Sequence, residues 1–296
     1  MIEMVIPSQR RDLGGFEVGR VLPFAQKRMI GPFVFLDHIG PARFASGQGI
    51  DVRPHPHIGL STVTYLFEGS IFHQDSLGYR EAIMPGEVNW MTAGRGITHS
   101  ERTDPALGQS GQAMHGMQAW VALPVENEED EPAFFHHGPK DLPTYAQDGL
   151  SGTLIAGSAF GATAGVRTHS PMFYLHWEMQ PGAKAALPTG HSERAAFVAR
   201  GTVDADGRTF GDGELIVFAP GTDAVIQAKT AATVMLLGGE PLGHRYIWWN
   251  LVSHSLDRIE AAKADWKAGR FALPPQDNQE FIPLPDTPPP KAEPMS

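Results

Sequence analysis

The sequence predicts a mainly β chain: two copies of one barrel unit in tandem, followed by a C-terminal α-helix. Three observations carry that expectation. Short apolar runs recur along most of the chain, with Gly or Pro between them. The second half repeats the first in outline, and one stretch near the C-terminus has helical spacing.

The runs are "FVFLDHI" (33–39), "STVTYLFEG" (61–69), "EVNWMTAG" (87–94) and "MQAWVALP" (117–124), then "MFYLHWEM" (172–179), "RAAFVARG" (194–201), "ELIVFAPG" (214–221) and "ATVMLLGG" (232–239). Each has strand length, and several alternate as half-buried strands do. The repeat emerges when "YLFEG" (65–69) is set on "FVARG" (197–201) and "GEVNWMTAG" (86–94) on "GELIVFAPG" (213–221). Residues 255–269, "SLDRIEAAKADWKAG", place Leu256, Ile259, Ala262 and Trp266 at helical spacing, with Gly269 as a stop. The expected domains are an N-terminal barrel over 1–138, a C-terminal barrel over 139–250, and a helix with a proline-rich extended tail over 251–296. "VENEEDEP" (125–132) reads as a solvated acidic loop, and "GPKDLPTYAQDGLSG" as the linker between the halves.

With 296 residues, 42% of them hydrophobic and 19% charged, the chain can bury a large core. No apolar run is long enough to span a membrane. The start, "MIEMVIPSQRRDLGG", lacks the layout of a signal peptide, so a cytoplasmic protein is expected. There are no cysteines, which excludes disulfides, thiolate metal sites and thiol redox switches. A net charge of −10 argues against direct binding of nucleic acid. The chain has no phosphate-binding loop, no complete dinucleotide fingerprint and no GxSxG elbow.

The candidate chemistry sits in the first half. In "RPHPHIGLSTVTYLFEG" (53–69), His55 and His57 are two apart, so on a strand both imidazoles share a face and Pro56 turns away. An HxH pair alone does not separate a metal site from two surface histidines. A second pair, His99 and Glu101 in "TAGRGITHSERT", has the same spacing. On neighbouring antiparallel strands the four side chains would converge inside a small barrel. Under the repeat alignment His55 falls on Leu187, His57 on Thr189, His99 on Ile226 and Glu101 on Ala228. All four are missing from the second copy together, as expected of groups that act as one unit. Three imidazoles and a carboxylate suit a divalent first-row metal: iron, nickel, cobalt, copper, manganese or zinc. His115 and Gln118, in "MHGMQAW", are further pocket candidates. His73 and Asp75 share a face and read as a barrel-rim hydrogen bond, with a second metal site as the lesser reading; adjacent His136 and His137 read as surface loop, and Arg95 as fixing a Gly-flanked turn.

The stretches "RPHPHIGLSTVTYLFEGSIFHQDSLG", "PGEVNWMTAGRGITHSE" and "MHGMQAWVALP", with "RYIWWNLVSHSLDRIEAAKADWKAGRF" further on, resemble the pirin family, two-domain members of the cupin superfamily. The resemblance implies a bicupin: two stacked double-stranded β-helix (jelly-roll) barrels. It implies one metal, commonly iron as Fe(II), in the N-terminal barrel only, on residues corresponding to His55, His57, His99 and Glu101. The general cupin pattern has a glutamate separated from the second histidine of HxH by three or four residues. Here those positions are Ser61 and Thr62, and Glu101 supplies the carboxylate instead.

Two functions follow from the resemblance. Some pirin-like proteins cleave the flavonol quercetin with dioxygen, which implies a quercetin 2,3-dioxygenase type of enzyme with Glu101 as the catalytic base. Animal pirins are described as iron-binding, redox-sensitive transcription cofactors, which implies a protein partner and no catalysis. The enzyme is the preferred expectation, with a flavonol-like substrate and dioxygen as its small-molecule partners and neither nucleic acid nor membrane among them.

Overall fold

A computed structural model describes residues 1–12, 16–104 and 111–286. All eight apolar runs lie on strands, and they build two large sheets. In one, the spatial order is Ala133–His137, Val88–Thr92, Leu60–Glu68, Gln112–Ala122, Phe33–Phe44, Glu17–Leu22 and Gln9–Asp12. In the other it is Ile2–Pro7, Glu214–Phe218, Glu193–Arg200, Ala232–Gly239, Met172–Met179, Leu150–Ala159 and Thr144–Gln147. The strand Thr144–Gln147 lies in the stretch read as linker. A four-stranded sheet accompanies each. One runs Asp51–His57, Ile97–Arg102, Ile71–Asp75, Arg80–Ile83; the other runs Lys184–Ala186, Val225–Ala228, Val203–Ala205, Arg208–Phe210. Both small sheets set their strands in the same chain order, first, fourth, second, third. The internal repeat is thus a repeat of topology, which faint identity alone could only suggest.

The chain forms two compact units, neither of them a single stretch of sequence. One comprises Met1–Arg10, Gly19–His38 and His137–Pro241; the other comprises Arg11–Val18, Ile39–His136 and Leu242–Ser296. Within the first, the opening strand Ile2–Pro7 pairs with Glu214–Phe218 at the sheet edge, Val5 opposite Ile216. Its barrel is filled by a continuous apolar cluster that includes Phe173, Trp177, Phe197's neighbour Val198, Phe210, Phe218 and Leu236.

In the second unit the helix Leu256–Lys267 starts at Ser255, whose extended backbone and side-chain oxygen cap the N–H of Arg258. Gly269, at φ +68°, ends it as expected. Ile259 and Ala262 pack on Ile58, Trp248 and Leu251. Leu256 is exposed, because the first turn lies beyond that cluster. No helix among the described residues is long and apolar enough to cross a membrane. Of the tail, residues 287–296 lie outside the described part. Before them, Arg102 holds Asp277 through two hydrogen bonds, at 2.8 and 3.0 Å.

The acidic run 125–132 is largely exposed, as expected of a solvated loop, except at Glu128. Glu128 is buried, pairs with buried Arg245 at 3.1 Å, and accepts from the hydroxyl of Ser253 at 2.7 Å and the backbone N–H of His254 at 2.9 Å. Composition gives the run its charge but not the partners of Glu128, which lie over a hundred residues away.

Candidate metal centre

The site grows from the small sheet of the 39–136 segment. Strands Asp51–His57 and Ile97–Arg102 pair antiparallel, with His55 opposite His99 and His57 opposite Ile97. Alternate residues share a face, so His55, His57 and His99 all project to the barrel interior. A register shift after His99 leaves Glu101 opposite Val52. On the other flank, strand Ile71–Asp75 sets Asp75 opposite His99 and His73 opposite Glu101.

One nitrogen from each of His55, His57 and His99 lies within 4.8 Å of the others, and all three side chains are buried. The ring centroids are 4.4 to 5.0 Å apart. His55 Nδ1 is 2.9 Å from the carbonyl of Arg53, and His57 Nδ1 is 3.0 Å from the carbonyl of Asn250. A carbonyl only accepts, so each Nδ1 carries the hydrogen and each Nε2 keeps its lone pair. Burial is the main force holding these rings neutral: it drops His55 to about 4, and puts His57 and His99 well below the ordinary value, helped by the charge each ring would feel from its neighbours.

The donor set fits a metal. His57 Nε2 and His99 Nε2 face each other at 3.1 Å in a buried space. Two nitrogens that close need a proton or a cation between them. Nitrogen donors without thiolate suit iron, nickel, cobalt, copper, manganese or zinc. Among the described residues no other group of three His, Asp or Glu converges in this way.

Glu101 stands beside this trio, not within it. Its Oε1 is 3.2 Å from the Thr64 hydroxyl and 3.4 Å from Gln118 Nε2, and Thr64 Oγ1 is 2.7 Å from Gln118 Oε1. Thr64 and Gln118 are direct cross-strand partners on the large sheet, so they reach Glu101 from the opposite wall. Burial pushes the Glu101 carboxyl up; the nearby His73 ring and the hydrogen bonds from Thr64 and Gln118 offset part of that. Unlike the imidazoles, Glu101 and Gln118 keep partial exposure.

The second barrel lacks this arrangement. At the aligned positions Leu187, Ile226 and Ala228 are 1%, 0% and 1% exposed and belong to its apolar core, while Thr189 is on the surface.

The pirin family signature matches residues 15–121, and that of the pirin C-terminal cupin domain matches residues 174–272. A pirin-like protein of Caulobacter vibrioides is 60% identical over 289 residues, covering 97% of this chain and all of that one. The chain belongs to the pirin family. Its two barrels are therefore cupin barrels, and the fold is a bicupin. Also similar is a Pseudomonas aeruginosa protein assigned provisionally as a quercetin 2,3-dioxygenase, 40% identical over 86% of this chain and 80% of its own. The crystal structure of quercetin 2,3-dioxygenase from Acinetobacter baumannii superposes with a TM-score of 0.89, at 34% identity over 96% of this chain and 95% of that one.

Among the residues singled out from sequence, this pirin brings His55, His57 and His99 together, with Glu101 and Gln118 at their side. His115 is set apart. A bulge at His115–Gly116 and strand alternation turn its ring onto Phe67, 4.7 Å away, on the face of Leu60–Glu68 opposite Thr64. His73 makes the expected hydrogen bond to Asp75, at 3.0 Å, but the pair is buried, with His73 Nδ1 3.4 Å from His99 Nδ1. His136 lies on the strand Ala133–His137 and bonds Asn89 at 2.8 Å.

Sequence reasoning missed Thr64, Trp120 and Asn250. Trp120 sets its edge against His57 at 5.0 Å. Asn250 acts through its backbone, in a two-residue turn where Trp249 takes φ +52°, a region bulky side chains seldom adopt. No residue-type signal marks a carbonyl. The only clue was the inward parity of Thr64, Gln118 and Trp120 on their strands.

Proposed function

We propose that this pirin is a metal-dependent dioxygenase of the quercetin 2,3-dioxygenase type, acting in the cytoplasm on a flavonol or similar enediol with dioxygen. The observation that carries the reading is Glu101. It is a carboxyl of raised proton affinity, partly open to solvent, beside three neutral imidazoles. The likeness to the Pseudomonas and Acinetobacter proteins supports the same chemistry.

His55, His57 and His99 would hold the metal, with Glu101 as the fourth group. Fe(II) is the expected ion, and the imidazole set also accommodates nickel, cobalt, copper, manganese or zinc. When bound, the metal supplies a Lewis acid that lowers the pKa of the substrate hydroxyl and a place for dioxygen beside it. Glu101 takes the proton of the flavonol 3-hydroxyl. Raised proton affinity matches that task, because a base works best with a pKa near the working pH. Thr64 and Gln118 both engage Oε1, which leaves Oε2 to meet the proton. Trp120, packed on His57, keeps water from that side of the imidazoles. Dioxygen is the oxidant: both of its atoms enter the ring-opened ester, the two carbon–carbon bonds to the carbon bearing the 3-oxygen break so that this carbon leaves as carbon monoxide, and the proton held by Glu101 returns to the product.

Steady-state turnover of quercetin in air tests the proposal. Turnover is expected from metal-loaded protein and not from stripped protein. Glu101→Gln should keep the bonds to Oε1 and lower kcat by about 10²- to 10⁴-fold. Activity indifferent to stripping would overturn the reading. Metal retained without flavonol turnover would favour the redox-sensitive regulator that binds a protein partner.

A further inference from the structure

We propose that Asp75 and His73 are positioning residues that fix the tautomer of His99 and aim its Nε2 at the metal; this rests on the metal site argued above. His55 and His57 each give their Nδ1–H to a backbone carbonyl. His99 has no such partner among the described residues, and the polar group facing its Nδ1 is the Nδ1 of His73, at 3.4 Å. The orientation of this third imidazole is therefore set by side chains.

The chain of partners fixes each hydrogen in turn. Asp75 is fully buried and held in place: its Oδ1 accepts from the backbone N–H groups of Leu77 at 2.9 Å and Tyr79 at 3.1 Å. Its Oδ2 lies 3.0 Å from His73 Nε2. A carboxylate accepts, so His73 Nε2 carries the hydrogen, and Nδ1 is left as the acceptor. That acceptor faces His99, which gives it the Nδ1 hydrogen and leaves Nε2 bare on the side of His55 and His57. Phe134 clamps the relay by stacking on His73, with centroids 4.4 Å apart and planes 13° from parallel. Metal-binding histidines commonly give their second N–H to a carboxylate; here an imidazole is interposed.

The test uses the full chain, stripped of metal and titrated with Co(II) against a chelator, with the visible spectrum of the bound cobalt recorded alongside. Asp75→Asn keeps the shape and both backbone bonds but presents an N–H where Oδ2 stood. His73 must then donate from Nδ1, and His99 is driven to carry its hydrogen on Nε2. The Kd for Co(II) should weaken by about 10- to 100-fold, with an altered spectrum. His73→Phe, which keeps the stack on Phe134 and removes the acceptor, should lose as much. His73→Asn, which returns an oxygen near the Nδ1 position, should recover most of the loss, a rescue that a packing role would not give. Wild-type Kd and spectrum in both Asp75→Asn and His73→Phe would overturn the proposal, as would equal loss in His73→Phe and His73→Asn. Failure of the unaltered chain to bind Co(II) would overturn the metal site itself, and the relay with it.

Discussion

A buried imidazole resists protonation, and that resistance makes the site's pH behaviour calculable in sign. Above pH 6.5 His55 is neutral whether the chain is folded or not, and it contributes nothing to pH dependence. Below 6.5 the unfolded chain takes up a proton that the folded chain, with His55 held at about 4, refuses. Stability of the metal-free protein should therefore fall as pH drops from 6.5 towards 4, by about 3 kcal/mol from His55 alone at about 1.4 kcal/mol per unit. His57 and His99 act in the same direction. Glu101, shifted up, acts oppositely, favouring the folded state at low pH. Thermal unfolding of stripped protein between pH 7 and 5 checks this, and His55→Asn should flatten the slope. At this scale the residue spacing exposed the histidines, because a period of two is legible in one strand. The hydrogens on their far sides were not legible, since they depend on the backbone carbonyls of Arg53 and Asn250 and on the His73 ring, none of which the spacing marks.

Elements differ in how much of their surroundings they announce. The long apolar strands and the capped helix carry their own patterns and were expected where they occur. The short strands Lys184–Ala186 and Val203–Ala205 have three residues each, too few for a period, and exist through their ladders. The acidic run shows the same limit. Two of its residues have equal charge and unequal surroundings: Glu128 lies against buried Arg245, while Glu131 pairs with Arg95 at 74% side-chain exposure. Glu128→Ala should destabilise the fold by about 3–5 kcal/mol, because it strands a buried guanidinium. Glu131→Ala should change stability by less than about 1 kcal/mol. Urea unfolding of the two variants separates them.

For the whole molecule, one topology serves two ends. The first barrel spends its interior on imidazoles and a carboxyl; the second lines the corresponding small sheet with Ala185, Leu187, Ile226 and Ala228. The sequence alignment showed that the polar groups are lost but set the first strand two residues off: Ala185 stands opposite Ile226 as His55 stands opposite His99, so Ala185 and not Leu187 takes the place of His55. Ile226→Ala should cost about 2–5 kcal/mol, as a large-to-small change in a packed core, and leave metal content untouched. The converse measurement bears on the central claim most directly: elemental analysis of the chain purified without chelators, beside the His57→Ala/His99→Ala double variant. One equivalent of a transition metal per unaltered chain, and none in the double variant, is the expected result. Metal retained after both imidazoles are gone, or an unaltered chain that takes up none when supplied, would contradict the claim that three imidazoles in the first barrel close around a single ion.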